Sequence, residues 1–204
     1  QSAGVRLLFD LNELTGRNCT QPAFEPWQPD QWCGSPPNPW NTTPVRGLLQ
    51  HIRDRGMEGM VGFELGNEPF KPPHLSPEVA NADVGTAAAL FQEVWAGVEP
   101  PIMYAHGTND CLECNNSDTM AALEAVPFPS GFSMHSYPGG GAGGAAVLDP
   151  YDLESYLLDT DWLRHQTLAK TQKCIDAWQN GPRAAGLSLA ITEGAATYGT
   201  FPDG

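Results

Sequence analysis

Basic residues are scarce in this chain. Its 204 residues hold 10 Lys+Arg against 24 Asp+Glu, a net charge of −14. A dedicated nucleic-acid binder needs a basic footprint to displace counterions from phosphates, so that class is excluded. The same shortage disfavours strongly polyanionic ligands. Long apolar runs are also missing: none approaches the ~18 residues a membrane-crossing helix needs. A membrane tether elsewhere in a longer protein stays compatible with this text. Cys111-Leu-Glu-Cys114 has CxxC spacing, but no second pair and no histidines at finger spacing accompany it. It sits in the Asn/Asp-rich stretch TNDCLECNNSD rather than opening a helix after a strand, so neither a zinc site nor a redox centre is expected. The glycine-rich run Gly139–Gly144 lacks the Lys-Ser/Thr of a phosphate loop and reads instead as a flexible loop over a cleft. His51, His106 and His135 have no partners at ligand spacing. No metal and no cofactor are expected.

Enough hydrophobic residues remain (41%) to bury a core, and the charged fraction (17%) is too low for a solvating tail. The length suits one domain. Glycine (22) and proline (19) together make up roughly a fifth of the chain, so many loops should join short elements. Five cysteines lie in the sequence, four of them in polar loop text, with Cys174 on a helix-like segment. Three Asn-x-Ser/Thr sequons, at Asn18, Asn41 and Asn115, also lie in loop text. Together they point to a secreted or lumenal protein with disulfides: extracellular, lysosomal or vacuolar.

Hydrophobic periodicity orders the chain. Val5–Leu11 reads as a strand, followed by a long loop to Thr43 rich in Pro, Trp, Asn and Cys. Thr43-Pro44 opens a helix whose apolar face is Val45, Leu48, Leu49 and Ile52, with Gly56 ending it. Met60–Leu65 is a second strand. Asp83 caps a helix carrying Val84, Ala87, Ala88, Phe91, Val94 and Trp95. Pro101–Ala105 is a third strand, and Ser117 or Asp118 opens a short helix. Phe132–His135 is a fourth strand, Asp161 caps a helix running toward Gly181, and Leu187–Ile191 is a fifth strand. Strands alternating with helices cannot pair as hairpins, so the sheet should be parallel, and near-continuous apolar strands should be buried on both faces.

A doubly wound sheet and part of a (β/α)8 barrel both satisfy this α/β pattern. Function gathers at strand C-termini in either. Here every strand run ends in polar text: Asp10-Leu-Asn12-Glu13, Glu64-Leu-Gly-Asn67-Glu68, Tyr104-Ala-His106, His135-Ser-Tyr137 and Thr192-Glu193. Contributions from all strands converge most naturally inside a barrel. Glu68, in Phe-Glu-Leu-Gly-Asn-Glu-Pro, and Glu193, in Ala-Ile-Thr-Glu-Gly, are the prime candidates. Glycoside hydrolysis needs such a pair: one carboxylic acid protonates the leaving oxygen while the other carboxylate works at the anomeric carbon. Trp27, Trp32 and Trp40 either stack on sugar rings or pack the first loop.

GFELGNEP, HSYP and ITEGAATYG, in that order, resemble the motifs of the heparanase-like glycosidases, glycoside hydrolase family 79, among the retaining (β/α)8 glycosidases. RLLFDLNEL resembles that family's third barrel strand. The resemblance implies that residues 1–204 form a partial catalytic barrel, about strands three to seven. It makes Glu68 the general acid/base and Glu193 the nucleophile. It places Asn67 against the sugar hydroxyl beside the anomeric carbon, with His135 and Tyr137 lining the pocket and Tyr198 in the loop after the nucleophile. Asn12, in the polar text after the first strand, is a further candidate sugar contact. The loop GAATYGTFPDG departs from the family's Ser- and Gly-richer pattern.

The first two strands, the eighth strand and the family's β-sandwich are not in this text. With no initiator Met and an end just past Glu193, the expectation is a fragment of a longer secreted enzyme. The partner implied is a glycan or glucuronide. A secreted glycan-binding homologue without turnover, and a same-clan β-glycosidase of another sugar specificity, are the alternatives.

Overall fold

A computed structural model describes residues 6–13, 17, 39–56, 59–67, 75, 77–108, 117–136, 160–164, 172, 175–176 and 186–194. They form a mixed α/β fold in the order β1 (Leu7–Leu11), α1 (Thr43–Arg55), β2 (Met60–Asn67), α2 (Pro77–Val94), β3 (Ile102–Thr108), α3 (Ser117–Glu124), β4 (Ser130–Ser136), α4 (Thr160–Leu163) and β5 (Ser188–Gly194). All five strands pair in parallel, in the sheet order β1-β2-β3-β4-β5. Spatial order follows chain order, without the reversal that defines a doubly wound sheet.

The sheet is curled. Thr192 Oγ1 on β5 donates to Glu64 Oε1 on β2 at 2.7 Å, although β3 and β4 lie between those strands. Side chains three strands apart meet only across a concave face. Small residues permit the curvature: at Gly131 a Cβ would stand 2.8 Å from Tyr104 Cε1 of the adjoining strand.

The convex face carries the helices and the core. Phe63 points out of β2 onto α2, where it meets Phe91 edge-on at 5.3 Å and Trp95 at 6.2 Å. Phe128 stacks on Phe91 at 5.7 Å. Such pairs add about 0.5–1.5 kcal/mol each beyond their area burial. Val45, Leu49 and Ile52 of α1 are buried, as their spacing predicts, and Gly56 closes the helix in the left-handed region with φ 57°. Thr119 Oγ1 of α3 donates to Asn81 Oδ1 of α2 at 2.9 Å, pinning the two helices together.

Several local expectations change. Thr43 is the first residue of α1 rather than its cap; the cap position is Thr42, and Asn41 Oδ1 accepts from the Thr43 N–H at 3.1 Å. Asp83 does not open α2, which begins at Pro77, where proline's missing N–H costs nothing. Asp83 lies inside the helix, buried, and pairs with Arg17. Asp161 is within α4 and accepts from Arg164 at 2.9 Å. Burial on both sheet faces holds for the middle strands but not the outer ones: Leu7 and Phe9 on β1 and Ile191 on β5 are 50%, 46% and 51% exposed. Trp40 is buried, and its Nε1 donates to the Asn12 carbonyl at 3.2 Å, so this ring packs against the residue that follows β1. The five cysteines, Asn18, Asn115, Trp27, Trp32 and residues 139–144 lie outside the described residues. No helix among the described residues is long and apolar enough to cross a membrane.

Candidate functional site at the strand C-termini

Parallel pairing brings the C-terminal ends of all five strands to one mouth. Asn12 follows β1 and is exposed, and Asn67 ends β2 and is exposed. His135, near the end of β4, is fully buried and stands in register with Glu193 of β5. The structure therefore brings Asn67, His135 and the Glu193 backbone to the same end of one sheet. Glu68 comes directly after Asn67 in the chain. Glu68, Tyr137, Tyr198 and the Glu193 side chain lie outside what the structure describes.

Beside Leu65 and Gly66 lies a polar cluster that the sequence did not single out. Glu13, Arg17, Asp83 and His106 are all buried there. The carbonyl of Leu65 accepts from His106 Nδ1 at 3.1 Å, which assigns the ring proton to that nitrogen. Glu13 Oε1 is 3.7 Å from the same nitrogen. Gly66 has φ +74°, and the space a side chain would need is filled by the Glu13 carboxyl. Arg17 forms an ion pair with Asp83 of α2.

Burial dominates the electrostatics of this cluster. It pushes the Glu13 carboxyl up to about 8, against the pull of the Arg17 guanidinium and with a small push from Asp10. It pushes His106 down to about 4, against the Leu65 carbonyl. The Arg17 guanidinium is also lowered by burial, with Glu13 acting in the opposite sense. At neutral pH both Glu13 and His106 are thus mainly uncharged. Residues 65–66, which lead into Asn67-Glu68, rest on a protonated carboxyl and a neutral imidazole.

A second missed pair is Glu64 and Thr192 on the concave floor. Its signal was in the text: Glu64 is a charged residue inside an otherwise apolar strand, where period-two alternation turns it to the face opposite Phe63 and Leu65. Among the described residues, no group of three or more His, Cys, Asp or Glu side chains is arranged to hold a metal ion. Comparison of the chain with known protein families, curated proteins and solved structures finds no match.

Proposed function

We propose that this chain is part of a retaining glycoside hydrolase barrel, spanning about strands three to seven of a (β/α)8 fold, that cleaves β-glucuronide-type linkages in glycans. The observation that carries the reading is the oblique bond from Thr192 to Glu64. Glu64 is in register with Tyr104, Tyr104 with Gly131, and Gly131 with Ser188, four residues before Thr192. That stagger over three strand steps is close to the ~1 residue per strand of an eight-stranded barrel with shear 8. A sheet curled and tilted in this way supports a reading in which Glu68, after β2, and Glu193, on β5, share one cleft.

In this reading Glu68 protonates the glycosidic oxygen while Glu193 attacks the anomeric carbon. The bond from that carbon to the leaving oxygen breaks as the glycosyl–Glu193 ester forms. Water then attacks the same carbon, gives its proton to Glu68 and releases Glu193. Retention requires the two carboxyl groups ~5–5.5 Å apart. Asn67 hydrogen-bonds the hydroxyl beside the anomeric carbon, and His135, Tyr137, Tyr198 and Asn12 line the sugar site. A net charge of −14 favours a weakly charged glucuronide or arabinogalactan-type glycan over a sulfated one. The sequons and cysteines support an extracellular, lysosomal or vacuolar setting.

A panel of aryl glycosides tests both reaction and sugar. The complete barrel that contains this chain is expected to turn over the glucuronide, and Glu68→Gln and Glu193→Gln in it each to lose at least ~10²-fold in kcat. A complete wild type inert across the panel refutes the proposal and favours a glycan-binding homologue.

A further inference from the structure

We propose that Glu64 and Thr192 are positioning residues, a hydrogen-bonded strut across the concave floor that sets the span between the strand ends leading to Glu68 and Glu193. The inference rests on the hydrolase reading and adds to it what holds the two carboxyl groups at working distance.

Backbone hydrogen bonds fix neighbouring strands ~4.8 Å apart. They do not fix the curvature of the sheet, which is set by what packs on its two faces. From β2 to β5 there are three such steps, or ~14 Å along the arc. A retaining mechanism needs groups at or just past the ends of those two strands held to ~5–5.5 Å. Curvature is therefore the variable that decides whether the cleft works. The Thr192 hydroxyl donates to the Glu64 carboxyl at 2.7 Å, directly across that curvature.

The location suits the task. Thr192 immediately precedes Glu193, so any shift of its Cα is passed on through one peptide unit. Glu64 is 7% exposed, and a buried side chain holds its geometry better than a solvated one. It lies on the segment that continues through Leu65 and Gly66, whose backbone is braced from behind by His106 and Glu13. The strut draws β2 and β5 together from inside the curl, and the cluster supports the same stretch of β2 from its flank.

Steady-state kinetics on the aryl glucuronide, with the complete barrel that contains this chain, test the strut. Thr192→Val keeps the volume and removes the hydroxyl. It is expected to lower kcat by ~10–100-fold with KM within about twofold, the cost of misplacing bound groups by about an ångström. Thr192→Ser restores the donor and should recover kcat to within about threefold. Glu64→Gln, which retains an acceptor oxygen, should lose less than Glu64→Ala. The double variant Glu64→Ala/Thr192→Val should be no slower than the slower single variant, because both remove one interaction. Thermal melting of each variant accompanies the kinetics. If Thr192→Val does not fold, Glu64→Ala and Glu64→Gln decide the matter: a ~10-fold or larger loss of kcat in Glu64→Ala with Glu64→Gln nearer wild type supports the strut, and kcat near wild type in Glu64→Ala overturns it. If Thr192→Val folds and turns over like wild type while Glu68→Gln is inactive, the strut is overturned and the hydrolase reading stands. A wild type that turns over no glycoside overturns both.

Discussion

Raising the pH from 6.5 to 8 should destabilise the folded chain by about 2 kcal/mol, and Glu13→Gln should abolish the effect. Glu13 is fully buried beside Gly66, and neither carboxyl oxygen has a hydrogen-bond partner among the described residues. Its folded pKa is raised from 4.5 to about 8, chiefly by burial. Between those values the folded state holds a proton that the unfolded chain has released, so stability falls as pH rises. The full interval is worth about 5 kcal/mol, all of it lost above pH 8. His106 acts with the opposite sign: its pKa is lowered from 6.5 to about 4, so its contribution is complete above 6.5 and lost as pH falls toward 4. From pH 4.5 to 6.5 the two slopes cancel. From 6.5 to 8 Glu13 acts alone, over an interval of roughly 1.5 pH units at 1.36 kcal/mol each.

Urea denaturation followed by tryptophan fluorescence at constant ionic strength reads this directly, since Trp40 and Trp95 are buried. With a slope of about 2 kcal/mol per molar urea, the midpoint should drop by about 1 M across the interval at unchanged slope. Glu13→Gln is nearly isosteric and cannot titrate, so its midpoint should stay level from 6.5 to 8. A wild-type midpoint constant over this range, or one that falls equally in the variant, refutes the account of Glu13.

Gly66→Ala should destabilise by at least about 1–3 kcal/mol, the cost of a left-handed non-glycine residue, and more because its methyl displaces the Glu13 carboxyl; denaturation in wild-type and Glu13→Ala backgrounds separates the two contributions. Arg17→Met leaves Asp83 buried without its ion-pair partner and should cost about 3–5 kcal/mol, whereas Arg17→Met/Asp83→Leu should recover most of that loss in a double-mutant cycle.

The strands were legible because a buried parallel strand announces itself as an apolar run. Their ends were read short, as at Leu65, where β2 continues to Asn67, because polar residues at a strand's functional end look like loop. Helix starts were less legible. Asp83 follows the preference of acids for caps, and only its buried pairing with Arg17, from a distant loop, explains it inside α2. The exposure of Leu7 and Phe9 could not be read from local pattern, since edge and central strands share the same apolar text. Convergence of Asn67, His135 and Glu193 at one sheet end was legible, because parallel strands put all their C-termini on one side. The Glu13–His106 contact was not, because it joins the turn after β1 to the end of β3 through a curvature no periodicity encodes.

Under the proposed hydrolase activity, that contact also bears on how a pH–rate profile is to be read. Glu13 stays protonated up to about 8 and His106 stays neutral down to about 4. More than about a pH unit inside these limits both are mainly uncharged, and the Arg17–Asp83 pair contributes no net charge. The backbone at Leu65 and Gly66 therefore rests on neighbours whose electrostatic field is constant over the range in which carboxyl chemistry operates. Had Glu13 kept an ordinary carboxylate pKa, its ionisation would place a negative charge beside Gly66 near pH 4.5 and superimpose its own titration on any activity measured there. Burial removes that interference at the cost in stability that the urea experiment measures. A limb of the pH–rate profile between about 5 and 7 then belongs to groups other than Glu13 and His106, and the same Glu13→Gln variant separates the two effects: it flattens the stability profile above pH 6.5 while leaving those limbs in place.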